Sequence, residues 1–359
     1  MKIIFDCRYT RLGRHDGISR YGARLVEELG KLHPVTMLIQ DERQLEMLPD
    51  LPWVLGPSST APTEPFVALA VNKYRPDVVF TPMQTMGPGL RKYALVTTVH
   101  DLIYYSHRTP PRDLNPALRL VWRAYHLWWG FQRTLLNRAD AHLVDSRTTL
   151  ELMQRHRLTR NPTRVVLLGT EHPDTAPHRL SPESRTLVYM GSFMPYKNVD
   201  LLVRSMAGLP GYRLQLMSRI SAEEKSRLTA LAPAGSVEFF EGASDEAYDS
   251  ALRSATALVS ASLEEGFGLP VIEAQALGTP VLLSDIPIFR EIGGAPAGYF
   301  DPSSTESFVS AVRELENDAE WAERSAASVE WARRYSWPDA ARALLEVLTE
   351  TVARRAARH

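Results

Sequence analysis

Two successive series of short apolar runs, each interleaved with longer stretches of helical periodicity, restrict the fold of this chain more than any other feature. Buried parallel strands read as short apolar runs, and the helices that connect them read as longer periodic segments. The first series predicts strands at 2–7, 35–40, 77–82, 94–100 and 141–146. The second predicts strands at 186–192, 212–218, 237–242, 255–262 and 279–285. The pattern predicts an α/β protein with two doubly wound parallel sheets.

A proline-rich stretch without apolar periodicity separates the two series. Residues 171–185 contain three prolines and are predicted to form a linker. The linker divides the chain into an N-terminal domain at 1–170 and a C-terminal domain at 185–335. A length of 359 residues is sufficient for two hydrophobic cores.

Charge and cysteine content limit the environment and the partners. Residues 1–180 carry 24 Lys and Arg against 17 Asp and Glu, whereas residues 181–359 carry 17 against 25. The basic half either attracts an anionic partner or reflects scattered surface arginines. Cys7 is the only cysteine, which excludes an intramolecular disulfide and a thiolate metal site. The chain has no signal-peptide pattern and no apolar run of about 18 residues, so we expect a cytoplasmic protein.

The segment 262–285 combines a strand end, a glycine-rich turn and a helix. The helix is predicted to begin near Pro270, so its N-terminus and free backbone N–H groups lie at the carboxyl end of a strand. Doubly wound folds bind ligands at this place, and an anion is stabilised there. Glu265 lies on the turn and Glu273 about one turn into the helix. Both carboxylates can therefore accept hydrogen bonds from sugar or ribose hydroxyls in one crevice.

In this segment the chain resembles the retaining GT-B glycosyltransferases of the family-4 type, and their mannosyltransferases in particular. The string EGFGLPVIEAQALGTPV carries the family's E-x7-E motif at Glu265 and Glu273. Further matches are HD at 100–101, GISRY at 17–21, YKN at 196–198 and FDP at 300–302. The resemblance implies a GT-B fold, in which two Rossmann-like domains face a central cleft. It also implies that a C-terminal helix, here 337–356, packs back on the N-terminal, acceptor-binding domain.

The resemblance assigns the nucleotide-sugar donor to the C-terminal domain. Glu273 would bind the ribose, and Glu265 would contact a hydroxyl of the transferred sugar. Lys197 would neutralise the leaving diphosphate, because the family uses no metal and negative charge develops on the β-phosphate. The sugar and the diphosphate would also be held by the backbone amides of the turn, at Gly266, Phe267, Gly268 and Leu269. No metal and no cofactor besides the donor substrate is implied.

One position departs from the family pattern. Ser192 stands where the family usually has an arginine that forms a second clamp on the diphosphate. Arg219 follows the next predicted strand. It either supplies the missing positive charge or is a solvated loop residue.

On the N-terminal side, the resemblance points to a strand end and to the start of a helix. His100 closes a strand and would help to position the transferred sugar, which makes it a catalytic candidate. Asp101 is expected to cap or orient the following loop on the acceptor side. Gly17 lies in a loop that approaches the acceptor or the donor phosphates in the family. Arg20 either pairs with an acceptor phosphate or covers the surface of its helix.

The stretch 116–138 is predicted to be one long helix with Asn115 as its N-cap. Its polar side is narrow and consists of Arg119, Arg123, His126, Arg133 and Asn137. Aromatic and leucine side chains cover the remaining surface, which is a wider apolar arc than one-sided packing needs. The stretch is either a buried domain helix or a surface that touches a partner or the inner face of a membrane.

Motifs that are absent disfavour other enzyme classes. The chain has no G-x-G-x-x-G, no P-loop and no D-x-D, which argues against a dehydrogenase, a P-loop NTPase and a metal-dependent GT-A enzyme. The predicted function is retaining, metal-independent hexosyl transfer, with GDP-mannose as first candidate donor and a UDP-hexose as second. The acceptor is a glycan, a lipid-linked or a small molecule, and nucleic acid is not expected. A nucleotide-sugar epimerase, a phosphorylase or a non-catalytic sugar-nucleotide-binding protein of the same fold are the alternatives.

Overall fold

The computed structural model describes residues 1–84, 86–109, 116–171 and 185–358, without the side chains of 116–118 and 121. The chain divides into two compact units. The first comprises Met1–Gly169 and Ser336–His359, and the second comprises Thr170–Tyr335. The predicted linker at 171–185 lies outside the described residues except at its two ends.

A seven-stranded parallel sheet forms the centre of the first unit. Its strands are β1 (Ile3–Asp6), β2 (Val35–Ile39), β3 (Trp53–Leu55), β4 (Val78–Thr81), β5 (Ala94–Val99), β6 (Ala141–Val144) and β7 (Thr163–Val165). They are arranged in the order β3-β2-β1-β4-β5-β6-β7. The strand order reverses between β1 and β4, and doubly wound folds bind ligands at the carboxyl ends of the strands at such a switch point.

Helices connect these strands and cover the sheet. They are α1 (Gly17–Leu32), α2 (Val67–Asn72), α3 (Ile103–Ser106), α4 (Pro116–Tyr125), α5 (Gly130–Leu136) and α6 (Arg147–Arg155). Asp16 caps α1 by accepting a hydrogen bond from the amide of Ser19. The C-terminal helix of the chain, Trp337–Ala356, packs against α1 and so belongs to the first unit.

The second unit contains a six-stranded parallel sheet. Its strands are β8 (Thr186–Tyr189), β9 (Arg213–Leu216), β10 (Val237–Phe239), β11 (Ala257–Ser260), β12 (Val281–Ser284) and β13 (Gly298–Phe300). The order β10-β9-β8-β11-β12-β13 is that of a Rossmann fold, with the switch point between β8 and β11. Its helices are α7 (Val199–Ser205), α8 (Ala222–Leu231), α9 (Asp245–Ser254), α10 (Leu269–Ala276), α11 (Pro287–Gly293), α12 (Thr305–Glu314) and α13 (Asp318–Ala332), which makes the C-terminal helix α14.

The predicted α/β class with two doubly wound sheets is confirmed. The central strands of each sheet are buried on both faces, so they read as continuous apolar runs. Leu202 of α7, Leu214 of β9 and Phe308 of α12 are fully buried in the core of the second unit. Each such side chain contributes about 1.5 to 3 kcal/mol when it leaves water. The sequence pattern did not reveal β3, β7 and β13, which have three residues each.

The prediction of one long helix at 116–138 is wrong. Helix α4 ends at Tyr125 and α5 begins at Gly130, while Asn115 lies outside the described residues. A Cβ at Gly130 would come within 2.2 Å of the ring of Trp128, so a larger residue there requires that exposed ring to move. His126, predicted on the polar side, is buried and its ring nitrogen Nδ1 lies 2.8 Å from the carbonyl of Trp122. No helix in the described ranges is long and apolar enough to cross a bilayer.

Candidate active site

An ion pair lies at the switch point of the second sheet. Lys197 is in the loop that follows β8, and Glu265 is in the loop that follows β11. The lysine Nζ donates to Oε2 of Glu265. The two side chains are 13% and 16% exposed, so the pair is largely shielded from bulk water but accessible at its edge. The fold thus brings together two of the predicted catalytic residues across 68 positions of the sequence.

Neighbouring groups hold Glu265 in this position. The hydroxyl of Ser262 lies 3.4 Å from its Oε2, and the backbone N–H of Gly266 lies 3.3 Å from its Oε1. Lys197 is also placed over the ring of Tyr196, with Nζ 5.5 Å from the ring centroid. Contacts within the second unit therefore hold both the lysine and the carboxylate at the switch point.

The glycine-rich turn after Glu265 ends in a helix N-terminus. Gly268 is the residue before α10 and has a φ of 95°, a conformation that strains any residue with a Cβ. No side chain caps this helix start, and Pro270 occupies its second position. Pro270 has no N–H, and the amide of Val271 donates to the carbonyl of Gly268 at 2.8 Å. The amide of Leu269 is the first of α10 and has no partner within the helix, so it can face an anion. Phe267 is buried, and its ring meets that of Tyr335 edge to face at 5.9 Å.

The second glutamate of the motif, Glu273, lies one turn into α10 and is buried. Glu273 and Glu265 therefore belong to the same strand–turn–helix unit. A contact of Glu273 with the donor ribose stays a prediction.

Two hydrogen bonds connect the separate sequence motifs around this turn. The side-chain amide of Asn198 donates to the carbonyl of Pro302 at 2.8 Å, which joins the YKN and FDP motifs. The N–H of Leu263 donates to the carbonyl of Tyr196 at 2.7 Å, which joins the loops after β8 and β11. Asn198 has a φ of 52°, a left-handed conformation that asparagine tolerates better than most residues. The loop that carries Lys197 is thus fixed at both ends.

The structure does not bring Arg219 to this pair. Arg219 follows β9 and is exposed. Its side chain lies over Gly242, where a Cβ atom, if one were present, would come within 2.5 Å of it. Gly242 follows β10, on the side of β9 away from β8. Ser192 is exposed, and its carbonyl accepts a hydrogen bond from the buried Tyr189 hydroxyl at 2.6 Å. A role for Arg219 at the diphosphate stays a prediction.

In the first unit, His100 follows β5 and is hydrogen-bonded through both ring nitrogens. Nδ1 lies 2.5 Å from Oδ2 of Asp145, and Nε2 lies 2.7 Å from the carbonyl of Pro82. Burial lowers the pKa of His100, but the charge of Asp145 and these hydrogen bonds outweigh it and raise the pKa above its ordinary value. Asp101 accepts a hydrogen bond from the amide of Ile103 at 3.1 Å, and so orients the loop that leads into α3.

The GISRY motif contributes a packing contact to His100. Gly17 is exposed at the first position of α1, and Arg20 is half-buried on the same helix. The buried ring of Tyr21 meets the His100 ring edge to face at 4.9 Å. The structure therefore brings the motif's tyrosine to His100, whereas a phosphate contact by Arg20 stays a prediction.

Sequence reasoning missed Asp145, the buried partner of His100. The signal was present, because Asp145 follows an apolar run predicted as a strand, as His100 does. The sequence pattern does not show that β5 and β6 are neighbours in the sheet. Within the described ranges, no group of three or more His, Cys, Asp and Glu residues could hold a metal ion.

Two family models match adjoining parts of the chain. The model described as Glycosyltransferase Family 4 matches residues 15–172, and the model described as Glycosyl transferases group 1 matches residues 172–332. The E-x7-E motif and Lys197 lie in the second match, and His100 lies in the first.

Curated relatives and solved structures agree with these matches. An MMP α-(1→4)-mannosyltransferase of Mycolicibacterium hassiacum is 26% identical over 300 residues, which are 76% of this chain and 71% of that protein. A D-inositol 3-phosphate glycosyltransferase of Mycobacteroides abscessus is 31% identical over 288 residues, which are 72% of this chain and 61% of that protein. A sucrose-phosphate synthase from Thermosynechococcus elongatus superposes with a TM-score of 0.75 at 20% identity and covers 98% of this chain and 100% of that chain.

Proposed function

The chain belongs to the family-4 glycosyltransferases, whose two models together span residues 15–332, and we propose that it transfers a hexose from a nucleotide-diphosphate donor with retention of configuration and without a metal ion. The observation that carries this proposal is the Lys197–Glu265 pair beside the start of α10. A cation, a carboxylate and a helix start with the amide of Leu269, all at one switch point, suit a diphosphate that bears a sugar.

The proposed mechanism follows from the charges. When the glycosidic bond to the phosphate breaks, negative charge develops on the β-phosphate, and Lys197 together with the amide of Leu269 at the start of α10 stabilises it. The donor's phosphate displaces Glu265 from Lys197, and the released carboxylate accepts a hydrogen bond from a sugar hydroxyl. The acceptor attacks from the face that the phosphate leaves, and the leaving phosphate oxygen takes the acceptor's proton.

Mannose from GDP-mannose is the proposed donor sugar. The name of the first relative, a mannosyltransferase, supports this choice, and a UDP-hexose is second. The acceptor is a glycan, a lipid-linked or a small molecule. The excess of Lys and Arg in residues 1–180 favours an acceptor that carries negative charge, such as a phosphate.

A nucleotide-sugar screen in the presence of EDTA tests this proposal. At a hundredfold excess over its dissociation constant, the correct donor stabilises the protein by about 2.7 kcal/mol, which a thermal-shift assay detects. We expect GDP-mannose to give this stabilisation and slow release of free mannose, and EDTA to change neither. Loss of turnover in EDTA with recovery on adding Mg²⁺ or Mn²⁺ would show that the account of leaving-group stabilisation is wrong. Conversion of the donor to another nucleotide sugar would indicate an epimerase instead.

We further propose that the enzyme is cytoplasmic and touches the inner face of an anionic membrane through a surface around α4 and α5. This surface comprises the exposed apolar side chains of Leu120, Leu127, Trp128 and Phe131. Leu127 and Trp128 are each 62% exposed, although both are of types that are usually buried. The stretch 116–138 contains four arginines and no acidic residue, so its charge complements anionic lipid headgroups.

Vesicle binding tests the membrane contact. We expect Leu127→Ser with Trp128→Ser to reduce binding to vesicles that contain phosphatidylglycerol by at least about tenfold, because both side chains would lose burial among acyl chains. Trp53→Ser with Leu55→Ser is the matched control, since these side chains are also exposed in the first unit but lie on β3. Equal binding by both double variants, or equal binding to purely zwitterionic vesicles, would contradict the proposal.

A further inference from the structure

Three neighbouring strands of the first sheet contribute to one hydrogen-bonded group at their carboxyl ends. Pro82 follows β4, His100 follows β5 and Asp145 follows β6. The register pairs Val99 with Val144, so the next residue of each strand, His100 and Asp145, are adjacent. The arrangement arises from the backbone pairing of the sheet, not from a flexible loop.

The chemistry of the partners determines what the His100 ring carries. A backbone carbonyl can only accept a hydrogen bond, so Nε2, 2.7 Å from the carbonyl of Pro82, bears a proton. Nδ1 lies 2.5 Å from a carboxylate oxygen of Asp145, which accepts a hydrogen bond from the protonated ring. Both ring nitrogens then carry protons, and neither keeps a lone pair free for a ligand. His100 in this state is excluded as a base.

We propose that Asp145 is a positioning residue for the proposed transfer: it fixes the orientation of His100 and keeps that ring a doubly hydrogen-bonded cation. The inference rests on the proposed function for its link to transfer, and on the geometry of the first unit for everything else. His100 then acts through its fixed positive charge and its shape. It does not act by proton abstraction.

The surroundings of the ring support this assignment. The titratable groups around it are Asp145 after β6, Asp101 next in the chain and Tyr21 on α1. The Tyr21 hydroxyl is neutral, because burial and the charge of Asp145 raise its pKa. Asp145 is buried, and its carboxylate is the acceptor that contacts the ring.

A second histidine of the same sheet provides an internal comparison. His142 lies on β6 and its ring nitrogens meet the hydroxyls of Thr97 and Thr159 at 2.8 and 3.2 Å. Burial without a carboxylate in contact lowers the pKa of His142 to about 4. Replacing the Asp145 carboxylate by an amide should move His100 towards the behaviour of His142.

Nuclear magnetic resonance titration of the histidine rings tests the pair without any assay of activity. In the full-length protein we expect His100 to titrate above free histidine, and in Asp145→Asn to titrate at least about one pH unit lower. Asp140→Asn is the matched control, because Asp140 precedes β6 at its opposite end and pairs with Arg91. A wild-type His100 that titrates below free histidine, or an unshifted His100 in Asp145→Asn, would overturn the proposal.

The pH dependence of kcat/KM tests the link to transfer. The positive charge of His100 is lost as pH rises through its pKa, so a lower pKa moves the alkaline limb to lower pH. Between about pH 6 and pH 8 we expect kcat/KM of Asp145→Asn to fall by a larger factor than that of wild type, because its His100 loses the proton at lower pH. His100→Gln, which cannot titrate, should show no such limb. A uniform loss in Asp145→Asn at every pH would refute the positioning role, whereas absence of transfer in wild type would refute the proposed function alone.

Discussion

Lys197→Ala is expected to lower the turnover number for sugar transfer by at least about tenfold, a loss of about 1.4 kcal/mol of transition-state stabilisation. Lys197 lies after β8, where it meets Glu265 and the start of α10. Negative charge grows on the diphosphate as the glycosidic bond breaks, so a cation there acts more strongly in the transition state than in the ground state. Steady-state kinetics at saturating donor measures this effect on kcat.

Because Lys197 is in an ion pair, a loss of turnover in Lys197→Ala has to be distinguished from a loss of protein stability. Lys197→Ala leaves the largely shielded carboxylate of Glu265 without its cation, so the variant should also melt at a lower temperature. Lys197→Met combined with Glu265→Gln removes both charges and should recover stability but not turnover. Lys225→Ala is the matched control, because Lys225 pairs with Glu241 in the same unit with both side chains exposed, at 42% and 61%. Wild-type turnover in Lys197→Ala would remove Lys197 from the reaction.

The two sheets could be predicted from the sequence because their central strands are buried on both faces. Strands such as β1 and β12 consist almost entirely of fully buried residues, and such runs stand out against the periodic helices. The edge strand β3 lacks this signal, because Trp53 and Leu55 are exposed on it. The break between α4 and α5 was also missed, because the apolar periodicity continues through residues 126–129 between the two helices.

For the candidate site, Lys197, Glu265 and His100 could be predicted from the sequence, but the side chains with which they pair could not. The E-x7-E string placed Glu265 and Glu273 on one turn and helix, since their relation is local. That Glu265 binds Lys197 depends on the adjacency of β8 and β11, which are separated along the chain by two other strands of the sheet. Asp145 was missed for the same reason. Ion pairs and hydrogen bonds between strand ends follow from strand order, and strand order was not predicted from the pattern.

Glu273→Gln is expected to weaken binding of the donor and of the free nucleotide diphosphate to a similar extent. The carboxylate of Glu273 should accept hydrogen bonds from the ribose hydroxyls, and the ribose is present in both ligands. A hydrogen bond to a charged group contributes about 1.5 to 3 kcal/mol, so the dissociation constants should rise roughly ten- to a hundredfold. Isothermal titration calorimetry with each ligand measures both values. The amide keeps the shape of the side chain, so a change in affinity reports on its charge.

Glu265→Gln should behave in the opposite way towards the nucleotide. Lys197 donates to the carboxylate of Glu265, and a diphosphate that binds the lysine replaces this contact. Removing the charge of Glu265 frees the lysine, and binding of the nucleotide diphosphate should stay as it is or become tighter. Transfer should nevertheless fall, because the sugar hydroxyl exchanges a charged carboxylate acceptor for a weaker, neutral amide oxygen. Glu241→Gln is the matched control, since it frees the exposed Lys225 and should change neither quantity. If Glu265→Gln lost nucleotide affinity while Glu273→Gln kept it, the roles of the two carboxylates would be the reverse of those proposed.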